Sequence, residues 1–216
     1  MLQWILHLLF PPRCVLCKKL LAKNETDLCR RCRNNTPTYK KSNFRLSFVA
    51  GWTGVWYYKD TVRSSIIRYK FHNKSCYAPA YGRILAMKLQ NADMTDFDIL
   101  TFVPISTLRR LHRGYDQVEL LANATGKELG VVPLRTLRKI RHTPPQSGIP
   151  HEARRRANVL GAYRAVNPEN LQGKRILLLD DVVTTGATAS ECARTLLAAG
   201  AKEVCFAALA VTNKNM

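Results

Sequence analysis

Two kinds of hydrophobic patterning alternate along this chain. Residues 99–105 (ILTFVPI), 176–183 (ILLLDDVV) and 204–211 (VCFAALAV) are short and nearly continuous in apolar character, the pattern of strands buried on both faces of a parallel sheet. Between them, residues 62–71, 80–89, 115–129 and 188–199 place apolar side chains at helical spacing, and Gly130 and Gly200 stand where the last two helices should stop. Residues 48–58 (FVAGWTGVWYY) are aromatic and β-prone, with Gly51 and Gly54 as punctuation, so a hairpin or edge strands fit there. Residues 134–140 read as a further strand, residues 33–47 as a polar linker, and residues 142–156, rich in Pro, Gly, His and Arg, as a long flexible loop. Strands alternating with helices predict an α/β fold with a parallel sheet and right-handed crossovers.

Composition narrows this picture in one respect. The 216 residues carry a net charge of +19, a balance that favours polyanionic partners such as nucleic acid, phosphorylated metabolites or an anionic membrane surface. The excess is uneven. Residues 1–45 contain ten Lys/Arg against two Asp/Glu and residues 98–165 contain twelve against five, whereas residues 166–216 contain five of each. The run WILHLLF within residues 1–10 is too short to span a bilayer and is followed by Pro-Pro-Arg, so it reads as a short amphipathic helix packed on the protein rather than a leader or anchor. No membrane span and a cytoplasmic location are expected.

Cys14-x-x-Cys17 and Cys29-x-x-Cys32 are separated by eleven residues. Two such pairs can close a tetrahedral four-cysteine zinc site with no open coordination position, hence a structural one. Disulfides are disfavoured by a reducing compartment, and a redox C-x-x-C should be single and lie near a βαβ unit. Cys76, Cys192 and Cys205 have no such spacing and are expected in the core.

Chemistry concentrates in residues 175–188, RILLLDDVVTTGAT. An apolar strand leads into Asp180 and Asp181, followed by the small-residue turn Thr184-Thr185-Gly186-Ala187-Thr188 and then a helix. Backbone N–H groups gathered at a helix N-terminus stabilise an anion, and carboxylates at the carboxyl end of a parallel strand face the ligand crevice. Receiver-domain and Walker B strands also end in acidic residues. However, no G-x-x-x-x-G-K-[ST] occurs in the chain, which disfavours a nucleotide-hydrolysing P-loop protein.

The stretch Asp180-Asp181-Val182-Val183-Thr184-Thr185-Gly186-Ala187-Thr188 resembles the phosphoribosyl-diphosphate (PRPP) signature of type I phosphoribosyltransferases. A longer series is similar to the ComF/ComFC family of competence-related proteins. It comprises the four-cysteine knuckle, Ile67-Arg68-Tyr69-Lys70-Phe71, Val103-Pro104, Arg113-Gly114-Tyr115-Asp116-Gln117, Thr143-Pro144-Pro145-Gln146, Arg155 with Asn158, and Gly161-Ala162-Tyr163. Asp116 departs from the family's usual Asn. The resemblance implies a parallel-sheet type I phosphoribosyltransferase fold (residues 46–216, with a hood) behind a small N-terminal zinc knuckle and linker (residues 1–45). It implies that Thr184, Thr185, Gly186, Ala187 and Thr188 hold the 5′-phosphate, and that Asp180 and Asp181 act on the ribose hydroxyls directly or through hydrated Mg2+. Arg109, Arg110 and Arg113 would face the diphosphate, and residues 142–156 would form a lid.

The acceptor has no signature in the sequence. Three functions stay open: phosphoribosyl transfer to an unidentified acceptor, single-stranded DNA handling with the DNA-uptake machinery, and PRPP sensing without turnover. Trp52, Trp56, Tyr57 and Tyr58 are available for base stacking or for the core.

Overall fold

The computed structural model describes residues 11–40, 45–141, 143 and 157–212. The helix expected in residues 1–10 and all of the loop expected at 142–156 except Thr143 lie outside the described residues. Four strands, β1 (Gly51–Tyr57), β2 (Ile99–Phe102), β5 (Arg175–Val183) and β6 (Glu203–Val211), form one parallel sheet in the order β1-β6-β5-β2. Helices α2 (Asp60–Phe71), α3 (Ala78–Gln90), α4 (Thr107–Arg113), α5 (Gln117–Leu129) and α6 (Ala187–Ala198) connect them, after a short α1 (Arg30–Asn35) in the knuckle.

The continuous apolar run of β5 follows from its position at the centre of this sheet. Leu177 and Leu179 pack into one core with Ala207, Leu209 and residues of α2, α3 and α5, while Ile176 and Leu178 pack into another with Phe206, Ala208 and α6. Both faces are covered, so successive side chains are all buried, each worth about 1.5–3 kcal/mol. Helix α5 lies on one face and α6 on the other. The chain segments leaving β2 and β5 therefore diverge and open a crevice at the carboxyl edge of the sheet.

The aromatic stretch forms one edge strand, β1, rather than a hairpin. Its outer edge is not left open: Tyr39 N–H donates to the Val55 carbonyl (2.8 Å) and Tyr57 N–H to the Pro37 carbonyl (3.3 Å). The segment read as a linker thus masks an edge that would otherwise pair with another chain. Trp56 is buried in the core. Residues 134–140 contribute only β3 (Leu137–Lys139), which pairs antiparallel with β4 (Tyr163–Ala165) as a separate ribbon. Helix α4 has no buried residue, so its sequence lacks the apolar stripe that reveals a helix. Instead Ser106 accepts from Arg109 N–H (3.4 Å) at its start, and Gly114 adopts φ 77° at its end. Cys76 is exposed, not a core residue; Cys192 is buried. Among the described residues no helix is long and apolar enough to cross a membrane.

Cys14, Val15, Leu16, Cys29 and Cys32 belong to the same core as Tyr69, Tyr81, Leu85 and Leu89. Arg83 on α3 grips the knuckle through a bidentate pair with Asp27 (2.9 and 2.5 Å).

Helices α3 and α5 approach closely at Gly82, where an added Cβ would lie 2.5 Å from the Ala124 carbonyl carbon and 2.8 Å from Thr125 N. Ala favours helix over Gly by about 1 kcal/mol, but forcing a methyl into packed backbone costs about 1–3 kcal/mol. Gly82→Ala should therefore lower stability by up to about 2 kcal/mol in urea unfolding, against helix propensity; a raised midpoint would contradict this packing.

Candidate functional site

Strand β2 stops pairing with β5 at Leu179. The next two residues, Asp180 and Asp181, therefore sit at a step in the sheet edge. Asp181 is buried and held from two sides: Lys70 Nζ lies 2.7 Å from Oδ1, and Gln117 Nε2 donates to Oδ2 at 2.9 Å. Gln117 Oε1 accepts in turn from Arg113 Nη1 (2.8 Å), and the Arg113 guanidinium stacks 4.5 Å over the ring of Phe71. Lys70 and Phe71 are consecutive at the end of α2, so the chain of contacts closes on itself. Asp180 accepts only from its neighbour's backbone, Asp181 N–H at 2.7 Å, among the bonds described for it. Burial first, and then the adjacent Asp181, push its pKa well above the usual carboxylate range.

Two adjoining cavities meet over these aspartates. The larger, of 530 Å³, is lined by Tyr58, Phe71, Leu108 and Arg113 on one side and Thr184, Gly186 and Thr188 on the other. The smaller, of 130 Å³, is floored by Lys70, Gln117, Asp180 and Asp181 and walled by Arg109, Lys139, Thr143 and Tyr163. Lys70, Asp180, Arg109, Arg113 and Thr188 border both. Gly186 has φ 75°, in the left-handed region, at the end of the three-residue turn between β5 and α6; it brings no side-chain cap, and among the described residues only the Ala187 N–H finds one, the Thr185 hydroxyl at 3.4 Å. The next amides of this first turn, at Thr188 and Ala189 beside the larger cavity, make a helix N-terminus that favours an anion.

The sheet edge thus gathers most of the residues picked out in the sequence. Asp180, Thr184, Gly186, Ala187, Thr188, Arg109 and Arg113 border the larger cavity, and Asp181 the smaller. Thr185 turns away: its hydroxyl accepts from Ala187 N–H (3.4 Å), and it borders a third cavity with Arg45, Glu191 and Arg194. Arg110 is exposed and borders neither main cavity. Arg109 donates to the Thr143 carbonyl (2.9 Å).

Lys70, Gln117 and Lys139 have no individual signal in the sequence. The first two sit in short motifs whose chemistry appears only when α2 and α5 converge. Lys139 lies over the Tyr163 ring (5.3 Å), and burial, followed by Arg109, lowers its pKa to about 8. Asp116 does not face the cavities. It caps α5, accepting from Val118 (3.0 Å) and Glu119 (3.2 Å) on one oxygen and from Ile105 N–H (3.2 Å) on the other.

The four knuckle thiols lie within 4.8 Å of one another. Zinc–sulfur bonds of about 2.3 Å in a tetrahedron set sulfurs about 3.8 Å apart, and Cys17 Sγ and Cys29 Sγ are 3.6 Å apart. Burial, then the neighbouring Cys17, pushes the Cys32 thiol up. The donor set fits structural zinc.

Comparison with known proteins agrees with both halves. A double zinc ribbon domain matches residues 5–43 and a phosphoribosyl transferase domain matches residues 119–215. The chain is 31% identical over 181 residues to the DNA utilization protein YhgH of Escherichia coli O157:H7, covering 82% of this chain and 74% of that one. It belongs to the ComF/ComFC family. Competence protein F of Haemophilus influenzae is 25% identical across 89% of this chain and 93% of its own, and competence protein ComFC of Streptococcus pneumoniae is 29% identical across 83% and 74%. As in the family at large, a phosphoribosyltransferase-type α/β domain here follows a four-cysteine zinc ribbon.

Two outcomes are expected. Reduced protein should purify with one zinc per chain by elemental analysis, and Cys14→Ser with Cys29→Ser should lose it. Lys70→Met should cost about 3 kcal/mol in chemical unfolding, because Asp181, only 5% exposed, keeps its charge with one partner removed; a loss below about 1 kcal/mol would mean the pair is well solvated.

Proposed function

We propose that this ComF-family protein binds PRPP with Mg2+ at the carboxyl edge of its sheet and transfers the phosphoribosyl group to an acceptor. The observation that carries this reading is the convergence of the α6 start at Gly186 and Asp180 on one 530 Å³ cavity, with Asp181 in the adjoining smaller one and Lys70, Arg109 and Arg113 bordering both. The 5′-phosphate lies against Thr184, Gly186, Ala187 and Thr188. Asp180, the carboxylate with fewest protein partners described, accepts from the ribose hydroxyls. Asp181, already engaged by Lys70 and Gln117, sets the field beneath. Arg109, Arg113 and Lys139 face the diphosphate, where guanidinium geometry suits phosphate oxygens.

Mg2+ would be held by the ligand's oxygens and, through water, by Asp180, and would neutralise charge on the leaving diphosphate. As the bond at ribose C1 breaks, positive charge develops on the ring and negative charge on the diphosphate. Asp180 faces the first and the three cations the second, an arrangement fixed before the reaction begins.

A second reading, single-stranded DNA handling, is supported by the relatives named for competence and DNA utilization. It is also supported by the exposed Arg30, Arg31 and Arg33 along α1. Of the aromatic residues, Tyr58 and Phe71 border the cavity, whereas Trp56 is buried. Stacking therefore falls to the cavity rim. Charge reversal at Arg30, Arg31 and Arg33 should weaken binding of a labelled oligonucleotide and flatten its salt dependence by anisotropy, leaving PRPP affinity intact. Absence of oligonucleotide binding even at low salt would leave transfer or PRPP sensing alone.

Calorimetry should show PRPP binding in millimolar Mg2+, abolished in the Asp180→Ala, Asp181→Ala double variant; undiminished affinity there would sink the assignment. The pH dependence has a definite sign. Protonated Lys139 attracts the diphosphate and neutral Lys139 does not, so affinity is greatest below its pKa of about 8 and falls as pH rises through it. Between pH 7 and pH 9 the loss attributable to Lys139 should approach about tenfold, and Lys139→Met should lack that component.

A further inference from the structure

Helix α2 touches the knuckle and the sheet-edge site within two turns. Toward the knuckle, Ser65 Oγ donates to the Val15 carbonyl, and Arg68 Nη2 donates to the Leu16 carbonyl at 2.5 Å and the Val15 carbonyl at 3.4 Å. Val15 and Leu16 are the two residues between Cys14 and Cys17, so their carbonyls are carried on the turn that presents two thiols to the metal. The Arg68 guanidinium is held in place by Tyr77, whose hydroxyl accepts from Nε at 3.3 Å and whose ring lies 5.8 Å beneath it. Toward the site, Tyr69 OH donates to the Gln117 carbonyl at 2.6 Å, and Lys70 Nζ pairs with Asp181 at 2.7 Å. Tyr115 OH closes the arrangement by donating to the Tyr69 carbonyl.

We propose that Arg68 is a positioning residue that couples metal loading of the knuckle to anion binding at the sheet edge. It seats α2 on the Cys14–Cys17 turn so that Lys70 meets Asp181 and Phe71 meets Arg113. The physical basis is directional. A guanidinium bonded to two carbonyls of one turn fixes the height and rotation of its helix more tightly than apolar packing, which tolerates sliding. With the four thiols gathered on zinc, that turn has one conformation. Without the metal it loses its anchor, and Arg68 then has no fixed acceptors with which to hold α2. Lys70 lies two residues further along the helix and inherits the displacement, and Asp181 loses the cation that makes its buried charge tolerable. The coupling is reciprocal by thermodynamic necessity: whatever factor zinc contributes to anion affinity, the bound anion returns to zinc retention. Only the identity of the anion rests on the PRPP reading.

The test compares wild type, Arg68→Met, which keeps an apolar stem but no guanidinium, and Arg68→Lys, which can reach one carbonyl but not two. Zinc release from the loaded proteins to a chromophoric chelator is followed to equilibrium with and without PRPP–Mg2+, and PRPP affinity is measured on the same loaded samples. In the wild type, PRPP should raise the apparent zinc affinity, read from the chelator equilibrium, by about fivefold or more. In Arg68→Met the protection should vanish and affinity should weaken by about the same factor, with Arg68→Lys between the two. Unchanged affinity in Arg68→Met, or protection equal to wild type, would overturn the proposal.

If the methionine variant does not fold, Tyr77→Phe, which removes the acceptor for Arg68 Nε, should show the same loss in smaller measure; full wild-type protection there would overturn the proposal. If the wild-type protein does not bind PRPP, the functional reading fails, and the coupling is judged by amide exchange in α2. Chelator-driven metal removal should deprotect residues 68–71 in the wild type, while in Arg68→Met they should exchange fast before removal and change little on it. Equal protection with and without zinc in the wild type would reject the coupling.

Discussion

The carboxylate pair at Asp180 and Asp181 is the constraint that the rest of the site answers. Two adjacent anions in a poorly solvated step of a parallel sheet repel each other and lose hydration. One of them, Asp181, is made tolerable by a cation and an amide brought from two different helices, and those helices are held by further bonds behind them. Arg113 could not orient Gln117 without Phe71 as its stacking surface, and Phe71 is placed by the same helix end that supplies Lys70. The other, Asp180, has far less compensation from the protein, and its raised pKa is the electrostatic record of that deficit. A bound cation, or a ligand with hydroxyl donors, would complete what the chain leaves incomplete. The asymmetry within the pair divides its labour: one aspartate organises the fold around the site, and the other faces whatever enters it.

Much of this was legible in the residues, and the reason differs from one element to the next. Strand β5 and its turn were readable because burial on both faces demands an unbroken apolar run, and the abrupt change to Asp-Asp and then Thr-Thr-Gly-Ala-Thr marks a chemical edge. The knuckle was readable because metal geometry imposes a local spacing on cysteines. Helix α4 was hidden because it buries nothing, and its stability comes from a serine cap and a left-handed glycine rather than from periodicity. The small strands β3 and β4 were hard to place because a three-residue strand carries no alternation, and their pairing joins segments more than twenty residues apart. Lys70 and Gln117 were invisible as site residues for a deeper reason. Their roles exist only in the geometry between α2, α5 and β5: the short motifs that hold them mark the family, and nothing local to either residue shows that it meets Asp181.

The knuckle and the sheet are joined more closely than their sequence signatures imply. Val15 and Leu16 lie between metal-ligating cysteines and also within the core that contains Tyr69 and Tyr81. Arg83 and Asp27 add a bidentate pair at the rim of the same contact. A four-cysteine site usually stabilises a small unit that lacks a hydrophobic core of its own. Here the metal-binding turn also forms one wall of the larger domain's core, so its carbonyls serve as acceptors for a helix that reaches the ligand cavity. Structural and functional residues are therefore neighbours on α2, with Arg68 facing one and Lys70 the other.

Asp116 shows the same economy at a single side chain. The resemblance to the ComF pattern sets an expectation of Asn at this place, and on the PRPP reading an added negative charge beside Arg109 and Arg113 would oppose ligand binding. The structure removes the conflict by turning the carboxylate away from the cavities, where three backbone N–H groups share its two oxygens. Two of those donors belong to the first turn of α5, where a negative charge is favoured by the helix dipole. The third, from Ile105, belongs to the segment leaving β2. An asparagine could satisfy the helix with its carbonyl oxygen, but its amide would then confront the Ile105 N–H, donor against donor. In this chain the aspartate can accept from both sides, which ties the exit of β2 to the start of α5. That tie joins the segment that leads to Arg109 to the helix that begins at Gln117, and both residues border the smaller cavity.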